Sequence, residues 1–158
     1  MKSIYLFPNK LKIPALVIFI ISSILFIPSY QDNFFDISTT VFSFSAEYPF
    51  GQPMYFTTLN DEISSEIVTT FFLISGIILA FSKEKIEDEF ILSIRFKSLV
   101  QATYFTYTMT LFFVLFTYGL SFMSLISLLI FLHLILLNFF YYTKLFIYKK
   151  QFSYENED

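Results

Sequence analysis

No Asp, Glu, Lys or Arg occurs between Ser98 and Thr143, and this uncharged run constrains the chain more than any other feature. As one α-helix it would extend about 70 Å, more than twice the roughly 30 Å of a bilayer's hydrocarbon core. It must therefore reverse. Gly119, Ser121 and Ser124 cluster inside it, which predicts a tight turn near Gly119–Phe122 and two helices, over residues 98–119 and 122–147.

Composition points the same way. Hydrophobic residues make up 56% of the 158-residue chain and charged residues 15%, where soluble domains average about a quarter charged. A small domain buries only about two-thirds of its surface, so 24 Phe and 11 Tyr exceed what a protein core can cover. Lipid is the expected solvent for the rest. Two further apolar runs predict spans at 12–30, ending at Pro28-Ser29-Tyr30, and at 63–82, with Glu66 in the outer headgroup zone. The first run has a competing reading as a cleaved signal peptide, given Lys2, Lys10 and Lys12, but no A-x-A-like site follows it. The expected fold is thus an all-α integral membrane protein. It is a single domain holding a four-transmembrane-helix bundle, an extracytoplasmic loop at 31–62, a cytoplasmic connector at 83–97 and a tail at 148–158.

All ten basic residues fall on one side of that arrangement. Lys2, Lys10 and Lys12 precede the first span, Lys83, Lys85, Arg95 and Lys97 lie in the connector, and Lys144, Lys149 and Lys150 close the last span. Short loops that retain Lys and Arg stay in the cytoplasm. Both termini are therefore expected there. Tyr141, Tyr142 and Tyr148 suit the headgroup level.

In the 31–62 loop, Ile37–Tyr48 is rich in β-branched and aromatic residues, with Phe42, Phe44 and Ala46 alternating against Val41, Ser43 and Ser45. Turn chemistry follows at Pro49–Pro53, and then Met54–Leu59. This reads as a β-hairpin. An irregular aromatic loop on lipid headgroups and a ligand-binding cap are the alternatives. Asn60-Asp61 stands as a capping segment for the second span.

The connector has helix-forming residues without Gly or Pro, i,i+4 pairs at Lys83–Glu87 and Lys85–Glu89, and Ile86, Phe90 and Ile94 at four-residue spacing. An amphipathic helix running into the third span is expected. Glu84, Glu87, Asp88, Glu89 and Arg95 are the candidate partner-docking residues, against a plain structural elbow as the alternative. Without a His among them, the carboxylates give little reason to expect a metal site. The stretch Ser82-Lys83-Glu84-Lys85-Ile86-Glu87-Asp88-Glu89-Phe90-Ile91, with Arg95, Ser98-Leu99 and Asn60-Asp61-Glu62-Ile63, resembles four-pass membrane proteins of Bacteroidota over residues 60–110. The resemblance implies a bacterial inner-membrane topology and brings no activity with it.

Ionisable and polar groups inside the bilayer are candidates for function. Gln101, Tyr104 and Thr108 follow helical spacing and are expected to pack inside the bundle. His133 and Asn138, about 140° apart on the last span, are expected to make separate helix–helix hydrogen bonds, with a proton relay or ligand as the alternative at His133. Gly76 and Ala80 give the second span a small-residue face.

There is no Cys, one His, no nucleophile–base pair and no glycine-rich phosphate loop, so no catalytic, cofactor or metal residue is expected. Topology accounts for the basic residues, and nucleic acid is not an expected partner. The bilayer is, together with a cytoplasmic or membrane protein that this chain would serve as a non-enzymatic sensor, regulator or accessory subunit. A homo-oligomeric small channel or transporter is the second reading.

Overall fold

The computed structural model describes residues 6–29, 37–46, 52 and 54–155. Four helices and two strands follow a short 3-10 turn at Asn9–Leu11: α1 (Lys12–Ser29), β1 (Ser38–Ala46), β2 (Met54–Glu62), α2 (Ser64–Ala80), α3 (Glu89–Phe116) and α4 (Leu120–Glu155). The chain divides into two compact units, one drawn from Met1–Phe19 and Leu73–Asp158, the other Ile20–Phe72.

In the unit Ile20–Phe72 the strands pair antiparallel, Ser38 opposite Glu62 and Ala46 opposite Met54. The alternation of the sequence is what permits this, since side chains in a strand point to opposite faces in turn. Thr40 donates to Asn60 Oδ1 across the strands at 2.6 Å, and Phe44 stands edge-on to both Phe42 and Phe56. Phe56 adopts a left-handed φ of 51°. Asn60 and Asp61, expected to cap the second span, instead pair with Thr40 and Thr39 as the end of β2. The expected turn residues at 47–51 and 53 lie outside the described residues.

The other unit is organised by the α3–α4 hairpin. Thr117 takes an extended backbone and its N–H closes α3 on the Phe113 carbonyl at 2.9 Å. Gly119 reverses the chain at φ 73°, a left-handed conformation that costs glycine nothing. Ile91, Ile94, Arg95, Ser98 and Ala102 are the buried face of α3. Tyr141 and Leu145 of α4 complete the core there. Gly76 of α2 lets Leu134 come so near that a Cβ would lie 2.8 Å from Leu134 Cγ and from Phe19 Cε2. Asn138 fixes the same approach by donating to the Gly76 carbonyl at 3.2 Å.

The expected four-transmembrane-helix bundle is corrected, as is the all-α class. Among the described residues two helices are long and apolar enough to cross a membrane, Glu89–Phe116 and Leu128–Gln151, and a two-stranded sheet accompanies them. The 17 residues of α2 rise to about 26 Å, short of the roughly 30 Å of hydrocarbon. Hydropathy marks an apolar run, but other contacts end the helix. Phe81, Ser82 and Lys83 leave α2 to pair with the N-terminal segment, Phe7 N–H donating to Phe81 O and Lys83 N–H to Phe7 O, both at 2.9 Å.

The connector is a second correction. No helix covers residues 83–88, and α3 starts at Glu89. Neither Lys83–Glu87 nor Lys85–Glu89 pairs along a helix. Glu84 and Glu87 bond instead to Lys12, Lys149 and Arg95. Asp88 becomes the N-cap, its side chain accepting from Ile91 N–H at 2.7 Å. Ile86 and Phe90, expected on one apolar face with Ile94, are 78% and 54% exposed, whereas Ile94 is buried.

Candidate functional site

The ionisable groups converge where the connector meets the start of α3 and the end of α4. Seven residues past its N-cap, α3 presents Arg95, buried beside Ile91, Ile94 and Ser98. Its guanidinium fork meets three partners. Nη1 donates to Glu87 Oε1 at 2.7 Å, and Nη2 donates to the Ser82 carbonyl at 3.0 Å and to the Tyr141 hydroxyl at 3.1 Å. Arg95 Nε is buried without a hydrogen-bond partner. The planar, fixed donors of arginine suit such a junction better than the single ammonium of lysine.

Tyr141 passes the network on. Its hydroxyl accepts from Arg95 and donates to Glu84 Oε1 at 3.2 Å. Glu84 is itself buried and lies between two cations, Lys12 on Oε1 and Lys149 on Oε2, the latter at 3.1 Å. Burial alone pushes the Glu84 carboxyl up; the hydrogen bonds and charges of Lys12 and Lys149 outweigh it and hold the group below its ordinary value. Glu87 closes the loop, its Oε2 accepting from Glu84 N–H at 2.8 Å. Tyr148 donates to the other Asp88 oxygen at 3.1 Å, and Lys12 lies 4.9 Å from the Tyr142 ring centroid.

Of the candidate docking residues, Glu84, Glu87 and Arg95 are thus brought together and turned inward. Asp88 caps α3, and Glu89 is exposed. Reading the sequence did not add Lys12, Tyr141 and Lys149 to this set. The lysines carried a topology signal and Tyr141 an interfacial one, and no local spacing announces partners 57 to 72 positions away.

Deeper along the hairpin, His133 Nδ1 lies 3.2 Å from Thr106 Oγ1. Thr103, Tyr107 and Thr110 border the same hollow of about 430 Å³. Asn138 faces α2 rather than α3, donating also to the Leu134 carbonyl at 2.9 Å. Gln101, Tyr104 and Thr108, expected inside, are exposed on α3. Tyr104 and Thr108 each sit two residues from Thr106, a rotation of about 200°. The Thr106 face meets α4, so theirs points away.

The carboxylates of the cluster are engaged, while Arg95 Nε is not. Both oxygens of Glu84 and both of Glu87 have donors. Among the described residues no group of three or more His, Cys, Asp or Glu side chains is disposed to hold a metal ion. Comparison with protein-family models, with curated proteins and with solved structures finds no match to this chain.

Proposed function

We propose that the chain is a multi-pass inner-membrane protein held by the α3–α4 hairpin, acting without catalysis as a sensor, regulatory or accessory subunit of a protein partner. The observation that carries this reading is how little protein covers the hairpin. Only 11% of the most apolar stretch of α3 and 39% of that of α4 is buried, where the core helix of a soluble protein would be mostly covered. Leu111, Leu115 and Phe116 are each more than 60% exposed. Arg95 and Lys97 near the start of α3, with Lys144, Lys149 and Lys150 near the end of α4, put positive charge at one end of the hairpin and none at its Thr117–Gly119 turn. Retention of basic residues during insertion leaves that end cytoplasmic.

The engagement of both carboxylates in the Glu84–Arg95–Tyr141 network supports a structural rather than catalytic role for the connector. The adjoining exposed groups, Glu89 and Phe90, are the surface left to a partner. The chain has no Cys, so single Cys substitutions report sidedness without background. Tyr118→Cys should react with an impermeant maleimide in intact cells, and Lys85→Cys only after permeabilisation. Labelling from one side, or recovery of the chain in the supernatant after carbonate extraction, contradicts the reading. Glu89→Lys should lose a stoichiometric partner that Thr108→Ala keeps.

The hollow around His133 and Thr106 favours one second reading, an oligomeric channel or transporter. It requires solute flux in proteoliposomes that falls on His133→Ala.

A further inference from the structure

The cationic groups of the cluster border a groove of about 640 Å³ beside the start of α3. Lys12, Lys85 and Lys149 line it together with Ile13, Ile86 and Ile91. Ile13 and Ile86 are 75% and 78% exposed, an unusual state for isoleucine beside three ammonium groups unless something amphiphilic covers both. We propose that this groove seats an anionic phospholipid of the cytoplasmic leaflet, its phosphate on the lysines and the upper part of its acyl chains along Ile13 and Ile86.

Charge supports this occupant. The two carboxylates in the groove are already engaged. Glu84 is bound by Lys12, Lys149 and Tyr141, and Asp88 by Ile91 N–H and the Tyr148 hydroxyl. Three lysines against these two carboxylates leave one positive charge, and a phosphodiester brings one negative charge. Lys149 spends one of its three donors on Glu84, and its side chain is 56% exposed. Lys85 is exposed and has no ionic partner among the described residues. Asn9 adds a polar group at the rim. Basic pockets at the cytoplasmic ends of membrane helices attract anionic headgroups in this way.

The inference rests on the reading that α3 and α4 cross the membrane, and its test is separate from that one. The full chain, purified in neutral detergent, is titrated with phosphatidylglycerol, phosphatidylcholine or inorganic phosphate while thermal midpoint and mass under native conditions are followed. Phosphatidylglycerol should raise the midpoint and remain bound at one molecule per chain, and Lys85→Ala should weaken it about fivefold. Lys149→Gln should weaken it further. Because Lys149 also holds Glu84, Lys85→Ala decides the matter if that variant unfolds. Equal stabilisation by phosphatidylcholine, or unchanged affinity in Lys85→Ala, overturns the proposal. An equal effect of inorganic phosphate replaces the lipid by a free anion and overturns it too. A chain that pellets with membranes yet binds no phosphatidylglycerol fails this inference alone.

Discussion

Arg95 and Tyr141 meet twice across 46 positions of sequence: Nη2 donates to the hydroxyl at 3.1 Å, and Cζ stands 5.2 Å from the ring centroid. The first contact orients the hydroxyl toward Glu84, and the second keeps the cation over an apolar ring in a site closed to water. Removing one partner of a buried pair leaves an uncompensated charge. Arg95→Met should therefore cost about 3 kcal/mol or more, read by unfolding in detergent. Arg95→Lys should recover only part of this, since one ammonium cannot reach Glu87, Ser82 and Tyr141 together.

Glu84 makes stability depend on acid. Its carboxyl is depressed in the folded chain, so its contribution is complete above the unfolded value of 4.5 and fades as the pH falls below that through the folded value. The thermal midpoint should drop on acidification below about pH 4.5. Glu84→Gln should start lower and show a shallower drop over the same range. A parallel pair of curves would place the acid sensitivity elsewhere.

Gly76 faces Leu134 with no room for a methyl group. Gly76→Ala should destabilise the chain by about 1–3 kcal/mol. Leu134→Ala in the same chain should remove most of the clash, so that the double variant is more stable than the summed single losses imply. The interaction term of the cycle measures this contact directly.

The cap on α3 is testable by the same unfolding measurement. Asp88→Ala should cost about 1–2 kcal/mol, because the Ile91 N–H and the Tyr148 hydroxyl both lose their acceptor. Asp88→Asn should keep much of the stability, since an amide oxygen still accepts from Ile91.

At Thr106, loss of the hydroxyl removes the bond to His133. Thr106→Val should cost about 0.6 kcal/mol, the average for hydrogen bonds between membrane helices, and should leave membrane targeting unchanged.

Some of this architecture is legible in the residues. The uncharged run from Ser98 to Thr143 is too long for one crossing, and the chain reverses at Thr117–Gly119, just ahead of the expected position. Alternation over Ile37–Leu59 carries the hairpin, because pattern and pairing are local there. The number of spans is not legible in the same way. Composition cannot say that Phe81–Lys83 will pair with Phe7 and so end α2 at Ala80. Nor can spacing foresee the connector: Lys83–Glu87 and Lys85–Glu89 suit a helix, but Lys12, Arg95 and Lys149 compete for the carboxylates from distant parts of the chain. Gln101, Tyr104 and Thr108 share one face, as their spacing requires, yet only the packing of Thr106 against His133 decides which way it points.

The position of Glu84 has a consequence for biosynthesis. Its two cations lie on either side of it in the sequence, Lys12 made well before Glu84 and Lys149 well after it. While the ribosome is still at work, this acid has one counterion at most, and Arg95 waits for Tyr141. The segment around Lys12 can be latched in its final way only once the far end of α4 has emerged, so quality control during synthesis meets an open junction until Lys149 has been added.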